Sequence, residues 1–155
     1  MLKSVEGNFD NPEVNELLTK HFIELRAASP EGSTHVLDIP GLKVPSITFW
    51  SLWDQEKLIG CGALKFLDKN HGEFKSIRIH DNFRNQGQGI NVINHLIKEA
   101  KKLKIKRLSI ETGAGSFFNP ARKLFRKTGF TVCEPFAHYK EDINSVYLTM
   151  LIDDI

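Results

Sequence analysis

The pattern of apolar and polar residues predicts a long helix near the start of the chain. Asn11-Pro12 supplies a capping residue and a proline for the first turn, and apolar residues then recur at helical spacing as far as Leu25. Ser29-Pro30 ends this helix. His21 lies on the apolar stripe, where a histidine at the edge of the core is expected. Residues 29–46 are rich in proline and glycine, which predicts a long loop with one short helical turn.

Strand-like and helical patterns follow one another through the rest of the chain. The strand-like stretches are 47–53, 58–64, 73–80, 107–112, 130–133 and 145–151. Short turns, including His71-Gly72, join the first three stretches and predict antiparallel pairing. A helix that begins at Gly89 leads to 107–112, and this crossover predicts that 107–112 runs parallel to 73–80. A second helix is expected to be capped and opened by Asn119-Pro120 and to stop at Thr128-Gly129.

The segment between the third strand and the following helix has the character of an anion site. It reads Arg84-Asn85-Gln86-Gly87-Gln88-Gly89. The first N–H groups of a helix lack internal partners, and the helix dipole places partial positive charge there. The two glycines carry no side chain that would keep a phosphate from these donors, and Arg84 adds a positive charge. The turn therefore predicts a diphosphate-binding site.

Two common phosphate-binding fingerprints do not match this turn. A dinucleotide fingerprint requires a third glycine where Val92 stands, and the Gly-Lys-Ser/Thr ending of a nucleotide-triphosphate loop is absent. The pattern Gln/Arg-x-x-Gly-x-Gly/Ala does match, and here the chain resembles the GCN5-related N-acetyltransferases (GNAT). A second segment, residues 119–130, resembles the family's Asn-x-x-Ala-x-x-Leu-Tyr-x-x-x-Gly-Phe pattern, with Asn119 one position nearer to Ala121. The order of helices and strands also follows this family over nearly the whole chain.

The resemblance implies an α+β fold with a central, mostly antiparallel sheet, one parallel strand pair and helices on both faces. It implies that acetyl-CoA is the co-substrate and that its pyrophosphate lies on the glycine turn. The main chain of a distorted strand would bind the pantetheine arm and the thioester carbonyl, and Asn119 would face the pantetheine amide. The donor-binding residues expected in this way are Ile77, Arg78, Ile79, Arg84, Asn85, Gln86, Gly87, Gln88, Gly89, Ile90 and Asn119.

For catalysis, the resemblance implies that Glu73 is the general base, since some family members carry a glutamate at this position of the strand. Glu111, at the end of the neighbouring strand, is the competing carboxylate. The family's usual tyrosine, which protonates the departing sulfur, is replaced by Phe125. Tyr139 is the favoured substitute, with Ser116 as another candidate donor. Alternatively, the thiolate leaves without assistance, because a thiol of pKa about 8.5 is a tolerable leaving group.

Length and composition limit the remaining possibilities. A chain of 155 residues is expected to form a single domain over 1–155, and its 41% hydrophobic and 26% charged residues are typical of soluble globular proteins. A net charge of +2 does not favour nucleic-acid or membrane partners, and no apolar run is long enough for a bilayer. Cys61 and Cys133 show no metal-ligand spacing. Buried free thiols in a reducing cytoplasm are expected, with no metal site.

The function expected from the sequence is transfer of an acetyl group from acetyl-CoA directly to a primary amine. The acceptor, a small molecule or a peptide, is not identified by any motif. A non-catalytic CoA-binding module that regulates a partner is the alternative, which Phe125 favours and Glu73 opposes. A nucleotide-binding domain is a weaker reading. Edge strands near the C-terminus leave a homodimer open.

Overall fold

The computed structural model describes residues 1–152 as one seven-stranded sheet covered by helices. The strands are β1 (Lys3–Glu6), β2 (Ile47–Asp54), β3 (Lys57–Phe66), β4 (His71–Ile79), β5 (Arg107–Gly113), β6 (Thr131–Val132) and β7 (Ser145–Leu151). The helices are α1 (Pro12–Ala28), α2 (Ile39–Leu42), α3 (Gln88–Lys102) and α4 (Asn119–Lys127). Short 3₁₀ helices, Asp81–Phe83 and Ser116–Phe118, precede α3 and α4.

The strands lie in the order β1-β2-β3-β4-β5-β7-β6. Every neighbouring pair is antiparallel except β4 and β5, which are parallel because α3 crosses over between them. The predicted fold class, including the single parallel pair, is confirmed.

Two separate apolar cores show that helices cover both faces of the sheet. On one face, α3 and α4 bury residues such as Val92, Leu96 and Phe125 against Phe74 and Ile110. On the other face, α1 and α2 bury Val14, Leu18 and Leu42 against Phe49 and Ala63. The alternation of side chains along each strand supplies both cores.

The centre of the sheet opens between β4 and β5. In the described chain the two strands pair only at His71–Arg107, Gly72–Leu108 and Glu73–Ser109. The pairing of β4 with β3 is also interrupted, by a bulge opposite Gly62, where Ser76 has a φ of 54°. Beyond Glu73, β4 therefore diverges from β5, and the distortion expected in this strand is present.

Several boundaries differ from the sequence-based expectations. β1 was not predicted, and β6 is shorter than the stretch 130–133. His71 and Gly72 belong to β4, since the turn lies before them and is closed by Asp68, whose carboxylate accepts from the main-chain N–H groups of Asn70 and His71. Helix α3 begins at Gln88 with Gly87 as its cap.

The two cysteines differ in burial, and the helices of residues 1–152 are too short or too polar to span a membrane. Cys61 is buried and Cys133 is half-buried, so the expectation of two buried thiols is correct only for Cys61; both are free. Among these residues no helix has the length and apolarity needed to cross a bilayer.

An ion-pair network fixes α1 to the end of β4. Arg78 is 4% exposed, and its guanidinium donates to Glu24 of α1 at 2.8 Å and to Asp81 at 3.2 Å. Asp81 also pairs with Lys20 and, at 3.3 Å, with Arg84. A buried guanidinium requires such partners because desolvating an unpaired charge is costly. The network therefore holds α1 against the strand that leads into the glycine turn.

His21, beside this network, gives the fold an acid-sensitive site. Burial, and then the charge of Arg78, lower the pKa of His21 from 6.5 to about 4. The unfolded chain therefore binds a proton that the folded protein excludes, so stability falls as the pH drops from 6.5 to 4. We expect His21→Gln to remove the part of this loss that His21 causes, about 3 kcal/mol at pH 4, while other histidines with lowered pKa values keep their smaller parts.

The measurement is urea unfolding at a series of pH values. The matched control is His138→Gln, because His138 is exposed and its replacement should leave the wild-type slope unchanged. A His21→Gln protein whose stability falls between pH 6.5 and 4 as steeply as that of the wild type would show that His21 is not the group responsible.

Candidate active site

A cavity of about 850 Å³ lies where β4 and β5 diverge. On one face of the sheet it is lined by α1 and by residues 35–37 of the long loop, and on the other by the glycine turn and α4. Glu73, the residues of β4 from 74 to 79, and Glu111 line its middle. The cavity therefore connects the two faces through the opening of the sheet.

Two helix N-termini border the cavity without a side-chain cap. Gly87 caps α3 with a φ of 78°, which an L residue with a side chain rarely adopts, and it offers no side-chain acceptor. The cap of α4 is Phe118, which also makes no side-chain capping bond. Asn119, expected to be a cap, is instead the first residue of α4, and its side-chain oxygen accepts from Arg122. Both ends therefore carry positive dipole charge, but the Asn119 N–H of α4 already donates to Ser116 and Pro120 has none, so α3 is the end that offers its first N–H groups.

Most of the predicted donor-binding residues line this cavity. They are Ile77, Arg78, Ile79, Arg84, Asn85, Gly87, Gly89, Ile90 and Asn119. Gln86 and Gln88 do not line it. Gln86 donates to the carbonyl of Asn82 at 3.0 Å, and the side-chain oxygen of Gln88 accepts from Asn91 at 3.3 Å.

Gly89 allows close contact between α3 and α4. A Cβ at this position would lie 2.6 Å from Cδ2 of Leu124, closer than real Cβ contacts. Gly89 therefore has a packing role that the sequence did not reveal, in addition to its place beside the cavity.

The two candidate carboxylates occupy different environments. Glu73 is 1% exposed, and its Oε2 accepts from the Tyr139 hydroxyl at 2.5 Å and from Lys75 Nζ at 3.2 Å. Glu111 accepts from the Ser145 hydroxyl at 2.8 Å. Burial raises the pKa of Glu111 to about 7, against the lowering effect of that hydrogen bond. Both line the cavity, so both lie where a base would act.

The chain matches the family model described as the Acetyltransferase (GNAT) family over residues 12–130. The chain belongs to the GNAT family of acetyltransferases. The expectation of an acetyl-CoA-dependent acyltransferase is thereby confirmed, and the readings as a nucleotide-binding domain or a non-catalytic module lose their support.

Relatives and solved structures agree with this membership. YsnE of Bacillus subtilis (strain 168), described as an uncharacterized N-acetyltransferase, is 47% identical over 137 residues, which cover 88% of this chain and 91% of YsnE. A GNAT-family acetyltransferase from Staphylococcus aureus Mu50 has the same fold, with a TM-score of 0.70, 17% identity and 99% and 100% of the two chains covered. A GNAT-family acetyltransferase from Elizabethkingia anophelis, solved with acetyl-CoA bound, has a TM-score of 0.68, 21% identity and 97% and 98% coverage.

In this acetyltransferase Phe125 is a core residue, 4% exposed, with its ring 5.7 Å from that of Phe130. It offers no proton at the position of the family's usual tyrosine. Tyr139, its predicted substitute, is 8% exposed and does not line the cavity; its hydroxyl proton is donated to Glu73. Burial, then the Glu73 carboxylate, raises the pKa of Tyr139 above its usual value. The role of Tyr139 as the acid that protonates the sulfur stays a prediction. Its hydrogen bonds to Glu73 and Lys75 favour a role beside the carboxylate instead.

Sequence reasoning missed Lys75 and His35 of this acetyltransferase, which also line the cavity. Lys75 Nζ contacts both Glu73 and Tyr139, and the ring of His35 lies edge-on to Tyr139 at 5.0 Å. Lys75 could have been found from strand alternation, because residues 73 and 75 of one strand share a face. No local pattern would have found His35.

Proposed function

We propose that this protein transfers an acetyl group from acetyl-CoA directly to a primary amine of a small-molecule or peptide acceptor, with Glu73 as the general base. The observation that carries the proposal is one cavity that joins the uncapped N-terminus of α3 to the buried carboxylate of Glu73. A phosphate-bearing donor and an amine could thus meet from opposite faces of the sheet.

The residues beside α3 fit the diphosphate of acetyl-CoA. The uncapped N–H groups, the dipole of a helix of 15 residues and the charge of Arg84 all favour an anion there. Lys123 and Lys127 of α4 add positive charge at the same cavity. Acetyl-CoA would supply an activated thioester. The main chain of β4 beyond Glu73, where it no longer pairs with β5, would supply N–H groups for the charge that develops on the carbonyl oxygen.

Glu73 would take the proton that an ammonium must lose before its nitrogen can attack. Its Oε1 is the available atom, since it has no hydrogen-bond partner among the described residues. Glu111 is the second candidate base, and its raised pKa near 7 would suit that role. Glu73 is favoured because it lies where β4 leaves β5, between the two faces of the cavity. Lacking a tyrosine at position 125, the enzyme would release the thiolate without a proton from α4.

The acceptor would enter through the face covered by the long loop. Ser33 of this loop donates to Asp142 at 2.7 Å and accepts from Asn144 at 3.3 Å, which connects it to the segment before β7. We expect Ser33→Ala to raise the KM of the acceptor roughly 2- to 10-fold, the worth of one hydrogen bond, with unchanged acetyl-CoA affinity.

Steady-state kinetics and calorimetry measure these two quantities. Thr34→Ala is the matched control, because within residues 1–152 the Thr34 hydroxyl donates only to the carbonyl of Pro30 in its own loop. Equal KM values for the two variants would contradict a role of the Ser33 contact in acceptor binding.

The proposed function is tested by thiol release with acetyl-CoA and a panel of amines, including polyamines, amino acids, aminoglycosides and peptides. Thermal denaturation with acetyl-CoA, ATP and NAD tests the donor separately. We expect acetyl-CoA, but neither ATP nor NAD, to raise the melting temperature, and we expect thiol release with at least one amine. Stabilisation by ATP or NAD but not by acetyl-CoA would refute the donor assignment, and acetyl transfer only to hydroxyl acceptors would refute the amine.

A further inference from the structure

The two oxygens of the Glu73 carboxylate have opposite surroundings. Oε2 accepts from the Tyr139 hydroxyl at 2.5 Å and from Lys75 Nζ at 3.2 Å. Lys75 Nζ also donates to the Tyr139 oxygen at 3.1 Å, so the three groups form a closed ring of contacts. Oε1 is buried and has no partner in residues 1–152.

Burying a carboxylate and leaving one of its oxygens without a hydrogen bond both cost folding free energy. A carboxylate that is 1% exposed must be compensated, and the ammonium of Lys75, whose side chain is only 10% exposed, provides an opposite charge. Native proteins leave few buried polar atoms unpaired, and each one that remains calls for an explanation, of which a catalytic role is one. Here the unpaired atom belongs to a residue that lines the cavity.

We propose that Lys75 and Tyr139 are positioning residues that hold Glu73 through Oε2 and so keep Oε1 free for the proton of the acceptor amine. The inference rests on the proposed function. In the step it describes, one N–H bond of the acceptor ammonium breaks and its proton passes to Oε1, while the nitrogen keeps the electron pair with which it forms the new C–N bond. The thioester C–S bond then breaks, CoA leaves as the thiolate, and the second proton of the nitrogen is lost to solvent. Lys75 and Tyr139 keep their own protons throughout. Tyr139 would thus serve the base instead of the departing sulfur.

Other titratable groups also act on Glu73. They are His35 of the long loop, His71 on the same strand, and Glu111 on β5. The imidazole of His71 is bonded to Ser109 at 2.6 Å, and Glu111 is bonded to Ser145. All three remain in the variants below, so differences between variants report on Lys75 and Tyr139.

The test is the ¹³C NMR signal of the Glu73 carboxyl carbon at neutral pH in protein labelled with ¹³C-glutamate, with the signal assigned by its loss in Glu73→Gln. Lys75 and Tyr139 both contact Oε2, so removing either changes the hydrogen bonding of the carboxylate and should move this signal. We expect a clear displacement of the signal in Lys75→Met and in Tyr139→Phe. Lys75→Arg, which keeps the charge, should stay near the wild type.

The matched control for the tyrosine is Tyr147→Phe. Tyr147 is 5% exposed and packs against Tyr139, but its hydroxyl donates to the carbonyl of Lys140 at 2.7 Å. It should leave the Glu73 signal unchanged. Once an acceptor is known, kcat should fall in Lys75→Met and Tyr139→Phe while the KM for acetyl-CoA stays that of the wild type, and Lys75→Arg should recover most of the kcat.

Failure of this inference is distinct from failure of the proposed function, because the NMR measurement needs no acceptor. A wild-type Glu73 signal in both Lys75→Met and Tyr139→Phe would overturn the inference, and so would an equal displacement in Tyr147→Phe, which would show a general packing effect. If Tyr139→Phe does not fold, Lys75→Met against Lys75→Arg decides the question.

Discussion

Glu73→Gln is expected to lower turnover by roughly 10²–10⁴-fold, the usual worth of a general base. The carboxamide keeps the shape of the side chain and an oxygen for the Tyr139 and Lys75 contacts, but it cannot take a proton at neutral pH. The affinity for acetyl-CoA, measured by calorimetry, should hardly change, because the diphosphate would bind at the distant N-terminus of α3.

Glu111→Gln is the matched comparison, since it removes the other carboxylate that lines the cavity. If Glu73 is the base, this variant should keep most of the turnover across the pH range. The reverse result, with Glu73→Gln close to the wild type and Glu111→Gln inactive below and above pH 7, would transfer the role to Glu111. Near-normal turnover of both variants would indicate that water, and neither carboxylate, accepts the proton of the acceptor amine.

The second large effect is expected at Gly89. Gly89→Val should weaken acetyl-CoA binding at least 100-fold, because its side chain would stand at the first turn of α3 beside the predicted diphosphate site. It should also lower the melting temperature, because its Cβ would meet Leu124 at 2.6 Å. Calorimetry and thermal denaturation measure the two effects separately.

The double variant Gly89→Val/Leu124→Ala separates binding from packing. Shortening Leu124 makes room for the valine, so the melting temperature should return to that of Leu124→Ala alone while acetyl-CoA binding stays lost. Recovery of binding in the double variant would show that Gly89 serves only the contact between α3 and α4.

Elements with strong local signals could be predicted from the sequence. The Asn11 side chain accepts from the N–H groups of Glu13 and Val14, as the Asn-Pro signal indicates. The apolar period of α3 and the glycines before it predicted both the helix and the turn, and the crossover predicted the parallel pair. These features depend on residues close in sequence, where propensity and spacing are informative.

Features that depend on distant residues could not be predicted. β1 consists of Lys-Ser-Val-Glu, with too few apolar residues to signal a strand, and it forms because β2 offers a free edge. The resemblance implied a role for the main chain around Arg78, whereas its side chain is buried between Glu24 and Asp81, which no local pattern indicates. The contact between Tyr139 and Glu73 joins residues on β4 and on a late loop, and only the folded sheet brings them together.

The pairing between β4 and β5 is short, and this affects the order in which the protein folds. Among residues 1–152, only three residue pairs join the two strands, so the sheet consists of a four-stranded half and a three-stranded half that touch at one end. Residues 3–79 supply the first half and residues 107–151 the second. Both halves contribute to the one core that α3 and α4 cover, with Phe74 from the first half and Ile110 from the second, so each half completes its packing only when they dock. The cavity also exists only after docking, and we therefore expect catalytic competence to appear together with the protection of the β4 and β5 amides from exchange.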